Sequence, residues 1–150
     1  MNSQDISQFS KSILEAIFDS SSDGIWVCDG QGTVLSINAA SAKLNGIKPI
    51  DVVGKNISDL LENKEFDQSV TAKVIASGRQ ETVMQYISRT KRFLLSTGTP
   101  SKDEQGEIHL IVINERDMTE LNMLRRQVEE SQKVKEKFSE ELSERSLLEL

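Results

Sequence analysis

The chain has 150 residues, enough for one compact domain plus some extra length, and a formal net charge of -6 that argues against a nucleic-acid surface in this segment. Cys28 is the only cysteine, which excludes an internal disulfide and points to a reducing compartment. No run approaches the roughly 18 apolar residues of a membrane span, and Met1-Asn2-Ser3-Gln4-Asp5 lacks the charge and apolar core of a signal peptide, so the expectation is a soluble, cytoplasmic protein without membrane contact.

Every glycine and both prolines fall between Gly24 and Gly106, so a turn-rich middle is flanked by two unpunctuated ends. The first end predicts a helix over Phe9 to Ser20. Ile13, Leu14, Ile17 and Phe18 form one stripe, with Ser12 and Glu15 spaced as a capping box. Ser20-Ser21-Ser22-Asp23-Gly24 ends it. Ile25-Trp26-Val27-Cys28 is a short strand, Asp29-Gly30-Gln31-Gly32 a hairpin turn whose glycines supply positive φ, and Thr33 to Ile37 the returning strand. Trp26 is expected to face opposite to Val27, on the outer face, as a dimer or helix contact.

Asn38 caps a short helix over Ala39 to Leu44, closed by Gly46. Pro49 suits the first turn of another, through Val53 to a stop at Gly54. Asn56 to Leu61 adds one more turn with an Asn cap. Glu65 to Ser77 reads as a fuller helix, with Phe66, Val70 and Val74 at spacing four and Gly78 at its end. Strands follow at Glu81 to Ile87 and Arg92 to Thr99, joined through Ser88-Arg89-Thr90, and Asp103-Glu104-Gln105-Gly106 turns into the last strand. That strand, from Ile108, has Leu110 and Val112 alternating with Ile111 and Ile113, so it is apolar on both faces. The short helices can cover one face; the other calls for the amino-terminal helix, a second subunit, or both.

The strand runs directly into a helix. Asp117 is a good N-cap with Glu120 three residues later, and no Gly or Pro interrupts Met118 to Leu150. The sum is an α+β fold: a five-stranded antiparallel sheet with short helices on one face, an amino-terminal flanking helix at 1–22, a core at 23–117 and a helical linker at 118–150.

This ordered set resembles a PAS sensory domain over about residues 9 to 122. The matching pieces are Asp23-Gly24-Ile25-Trp26-Val27-Cys28-Asp29 with Gly32, Asn38-Ala39-Ala40, Gly46, Gly54-Lys55-Asn56-Ile57 and Asp103 with Gly106. The most specific is Arg116-Asp117-Met118-Thr119-Glu120, similar to the family's D-I-T junction with Met in place of Ile. The resemblance implies that Arg116, Asp117 and Thr119 tie the last strand to the outgoing helix. The tail, Glu120 to Ser131 and on to Ser146-Leu147-Leu148-Glu149-Leu150, is similar to the linker of sigma-54-dependent transcriptional activators. That likeness implies an effector in cis, an ATPase followed by a DNA-binding domain.

With Leu121 as position a, a heptad reading puts Leu124 at d, Val128 at a, Phe138 at d and Leu142 at a. Ser131, Lys135 and Arg145 interrupt the seam. A parallel coiled coil in a homodimer, weak enough to change state, is the expectation, against a solvated single helix.

No enzyme chemistry can be assembled. His109 is the only histidine, so neither a His-rich metal site nor a Ser-His-Asp triad is available, and no phosphate loop is present. The helix that supplies the haem ligand in haem-binding PAS domains has no His here, which argues against haem. Flavin-adduct relatives carry a Cys where this chain has Asn56-Ile57-Ser58-Asp59, which argues against covalent flavin; Cys28 reads as a packing residue. The resemblance leaves a cavity between sheet and helices, for a small-molecule ligand or for core side chains alone. Its expected lining is Ile25, Val27, Leu44, Val53, Leu60, Val70, Val74, Leu95, Ile111 and Ile113, with Asn45 and Arg92 as polar groups able to orient a ligand.

Overall fold

The computed structural model describes residues 2–62 and 68–148. The chain divides into two compact units, Met1–Asp117 and Met118–Leu150. The first opens with α1 (Ser3–Ser20), β1 (Gly24–Asp29), β2 (Val34–Ile37), α2 (Ala39–Asn45), α3 (Pro49–Val52) and α4 (Ile57–Glu62). It continues with α5 (Val70–Ser77), β3 (Glu81–Ile87), β4 (Arg92–Lys102) and β5 (Ile108–Asp117). The second unit is α6 (Thr119–Leu148).

The five strands form one sheet in the order β2-β1-β5-β4-β3, every pairing antiparallel. The last strand is therefore central, hydrogen-bonded to β1 on one side and β4 on the other. Short helices cover one face, and the core lies between: Leu60, Val74, Leu94 and Ile111 are fully buried there with Val34, Val52 and Cys28.

Local chemistry explains the element ends. Asp29 Oδ1 accepts from the backbone N–H groups of Gln31 and Thr33, and Gly32 takes φ +88°, so one carboxylate and one glycine make the first hairpin. Gly30 is not a positive-φ residue; a Cβ there would run into the carbonyl oxygen of Ile108. Asn38 caps α2 by accepting from Ser41 N–H at 2.9 Å, and it accepts equally from Ile25 N–H at 2.9 Å. Its amide donates to the Phe18 and Asp23 carbonyls, so the end of α1, the start of β1 and the start of α2 meet on one side chain.

The helices depart from expectation at three ends. Asn2 caps α1, accepting from Asp5 N–H at 2.8 Å, so the helix starts well before Phe9, and Ser12 sits inside it with its hydroxyl donating to the Gln8 carbonyl. α5 begins at Val70 under a Ser69 cap that accepts from Ala72 N–H at 3.1 Å. The earlier start, Glu65 and Phe66, lies outside the described residues. α3 stops at Val52, and Val53 turns outward, 41 % exposed, because the left-handed Gly54 beyond it reverses the chain.

In α6 the heptad residues Leu121, Leu124, Val128, Phe138 and Leu142 are all exposed on the chain. α1 buries none of its residues and leaves Ile6, Phe9, Leu14 and Ile17 more than half exposed. Among the described residues, no helix is long and apolar enough to cross a membrane.

Candidate functional site

The phase of β1 decides what the sheet shows to its helices. Gly24, Trp26 and Cys28 point into the core and Ile25 and Val27 out of it, so Trp26 is buried at 5 % exposure and not on the outer face. Ile25 and Val27 leave the cavity lining for the same reason. Leu95 leaves it too: Leu94 and Ser96 take the inward positions of β4, and Leu95 joins Val112 and Asn114 on the far side of the sheet. Four apolar residues in a row, Ile25 to Cys28, give no sequence signal for which pair faces in.

On β5 the inward parity runs Ile111, Ile113, Glu115. That places a carboxylate in the core, with Glu115 only 4 % exposed. Trp26 Nε1 donates to its Oε1 at 2.8 Å and Ser41 Oγ at 2.5 Å. Asn45 Nδ2 bridges both oxygens at 3.1 and 3.0 Å. β1 supplies the indole, and α2 supplies the hydroxyl and the amide from successive turns, positions 41 and 45, that stack on one face. Gly24 makes this approach feasible, since a Cβ there would lie 2.5 Å from Glu115 Oε1.

The electrostatics are one-sided. The three side chains donating to Glu115 are all neutral. Burial pushes its pKa up, and the hydrogen bonds from Ser41, Asn45 and Trp26 pull it back in part. A buried carboxylate without a counter-charge costs several kcal/mol, and a perturbed group of this kind beside a cavity is a functional-site candidate. Two further buried polar atoms, Asn45 Oδ1 and Ser96 Oγ, have no hydrogen-bond partner among the described residues.

A cavity of about 40 Å³ opens beneath the cluster. Its walls include Trp26, Ile113 and Glu115 from the sheet centre, Ser96 and Gln85 from β4 and β3, Ile57 from α4, and Val70 and Thr71 from α5. At roughly 10–15 Å³ per water, it has room for about three waters or a molecule of a few heavy atoms.

Of the expected lining residues, Val70 and Ile113 face this cavity, and Asn45 adjoins it through Glu115. Leu60, Val74 and Ile111 are fully buried core residues, and Leu44 packs partly buried against them. Val53 is exposed. Arg92 is also displaced: it lies exposed at the start of β4, its guanidinium 3.2 Å from Asp117 Oδ2, because strand register sets Leu94 opposite Asp117. Arg116 points outward to Asp23 at 3.8 Å. Glu115 itself was absent from the expected lining; its parity with Ile111 and Ile113 is the signal that finds it.

Cys28 is fully buried against Thr71, and burial raises its thiol pKa from 9.0 to about 11, which fits a packing role. His109 is exposed on β5, its Nδ1 3.1 Å from the Ser101 carbonyl. Among the described residues, no group of His, Cys, Asp and Glu is placed to hold a metal ion.

Residues 12–118 match the family described as the PAS fold. No curated protein matches the sequence. Among solved structures, the chain resembles an RNA-binding light-oxygen-voltage receptor at 18 % identity and a TM-score of 0.65, with 87 % of this chain and 38 % of the receptor covered. It thus spans well under half of that protein. The PAS domain of an HTR-like protein from Haloarcula marismortui is 19 % identical, with a TM-score of 0.55 and 76 % and 96 % of the two chains covered. VqmA bound to DPO is 17 % identical, with a TM-score of 0.51 over 71 % of this chain and 57 % of that one. At these identities the likeness is one of fold.

Proposed function

The chain belongs to the PAS family, whose members are sensory modules of signalling proteins, and on that premise we propose that its cavity senses a small ligand and passes the state of Glu115 along β5 to α6. One observation carries the reading. The central strand holds the buried polar centre at Glu115 and ends two residues later at Asp117, and α6 begins at Thr119. Whatever repacks Glu115 acts on the strand that becomes the outgoing helix. A ligand shifts this equilibrium only by binding the two states with different affinity. A neighbour of this fold, VqmA, has a structure bound to DPO.

The proposed output is transcriptional, through an ATPase and a DNA-binding domain in cis, as the linker's likeness to sigma-54-dependent activators suggests. α6 then pairs with that of a second copy through Leu121, Leu124, Val128, Phe138 and Leu142, whose exposure leaves an apolar seam to cover. Native mass spectrometry against the denatured mass tests the sensory step: an added mass lost on denaturation is expected. Replacing Asp117 and Thr119 with Ala in a chain that carries the output domain should uncouple promoter activation from ligand. Unchanged regulation would sink the coupling.

A second reading, a dimerisation module without a ligand, draws on the apolar residues exposed along α1 and α6. A clean apo dimer, unmoved by a metabolite library, would favour it.

A further inference from the structure

The cavity under Glu115 has a chemical bias that narrows the ligand. We propose that it recognises a small organic cation, a primary alkylammonium of a few heavy atoms, with the ammonium group between Glu115 Oε2 and Ser96 Oγ. The inference rests on the sensory reading above and names its ligand class.

Charge comes first. Among the described residues lining the cavity, Glu115 is the only one that ionises, and none is Lys, Arg or His. An anionic ligand would add a like charge beside a carboxylate already removed from water; a cation supplies the missing counter-charge.

Hydrogen bonding gives the second constraint. A carboxylate offers about four acceptor positions. Among the described residues, Oε1 of Glu115 takes donors from Trp26, Ser41 and Asn45, whereas Oε2 takes only the Asn45 amide at 3.0 Å. Ser96 stands directly opposite Glu115 in the β4–β5 register, is 2 % exposed, lines the same cavity, and its Oγ has no partner among the described residues. Two adjacent acceptors are therefore under-filled on one wall, and an ammonium group has three N–H donors to fill them.

The apolar part of the lining takes a short chain. Ile57 and Val70 come from the helices and Ile113 from β5 beside Glu115, and the volume of about 40 Å³ suits an alkyl group of a few carbons. Because binding favours the ionised form of Glu115, uptake tightens as pH rises through its pKa.

The test reads Trp26, the only tryptophan, whose indole N–H bonds to Glu115 and gives a single resonance in a ¹H–¹⁵N spectrum. The whole chain is titrated with methylammonium to butylammonium chloride, and in parallel with sodium butyrate, butanol and sodium chloride at matched ionic strength. A saturable shift is expected with the ammonium series and with none of the others. Glu115→Gln, which keeps the shape and loses the charge, should weaken binding on the order of tenfold or more, and Ser96→Ala by a smaller factor. Absence of a saturable ammonium shift overturns the proposal, as does a shift that Glu115→Gln leaves unchanged. Should that variant fail to fold, the ranking of probes on the native chain decides alone. A response to butyrate or butanol in place of ammonium removes the cation and keeps the sensor; no added mass from any metabolite removes the sensor as well.

Discussion

The two faces of the sheet are built from the same strands and obey different rules. Inward, Trp26, Leu94, Ile111 and Ile113 share the face with Glu115, the one buried carboxylate among the described residues, held by three neutral donors. Outward, Ile25, Val27 and Leu95 are half-buried, Val112 is 41 % exposed, and Asn114 and Arg116 meet Asp23 at 3.3 and 3.8 Å across the surface. Charge on the outer face is screened by water and exchangeable. Charge on the inner face has to be satisfied by geometry. Polar residues are therefore cheap on one side of each strand and consequential on the other, a single residue apart.

Neighbouring substitutions in β1 break this comparison most sharply. Trp26→Ala opens a cavity and removes one of the three donors to Glu115, so a loss of about 3–5 kcal/mol is expected, whereas Val27→Ala should cost about 1 kcal/mol or less; urea denaturation of both variants measures the gap. Equal losses would mean the faces are not distinct. Gly98→Ala comes next: its Cβ would sit 2.8 Å from Val74 Cγ2, pressing α5 off β4. Overpacking of this kind costs about 1–3 kcal/mol, read as a lower denaturation midpoint.

A pH series sharpens the electrostatic contrast. Burial raises the Glu115 pKa above its ordinary 4.5, so the folded state holds that proton more tightly than the unfolded chain. The stability from this group is fully present below 4.5 and is lost as pH rises through the raised folded value. Denaturation midpoints of Glu115→Gln should lack that descending slope; an unchanged slope would locate it elsewhere. The smallest effect belongs outside. Arg116→Ala removes an exposed ion pair with Asp23, and its cost should fall within about 0–1 kcal/mol and shrink further in salt.

Much of the fold was legible because it depends on local chemistry. Gly32, Gly46, Gly78 and Gly106, and Asn38 in its role as the α2 cap, act within a few residues of themselves, at caps and positive-φ turns that a sequence displays directly. The antiparallel hairpins follow from the spacing of those turns, whereas the place of β5 between β1 and β4 is tertiary information. The site was less legible because it depends on phase. β1 and β5 each carry apolar residues on both faces, so nothing local says that Trp26 faces in or that Ile25 faces out. Glu115 stays unmarked until its parity with Ile111 is counted. Gly24 reads as a helix stop, yet its position is set by a carboxylate 91 residues away in sequence. Arg92 reads as a cavity group and instead pairs with Asp117 at the end of β5, because the register that sets Leu94 opposite Asp117 is tertiary information.

The Asn38 side chain has a mechanical consequence. Its side-chain oxygen accepts from Ile25 N–H in β1 and from Ser41 N–H in α2 while its amide donates to the last turn of α1, so one residue serves as a three-way joint. A pull or twist applied along α1 has a hydrogen-bonded route through Asn38 to Ile25, next to the tryptophan that holds Glu115. The amino-terminal helix and the buried carboxylate are thus two joints apart in space, though nearly a hundred residues apart in sequence.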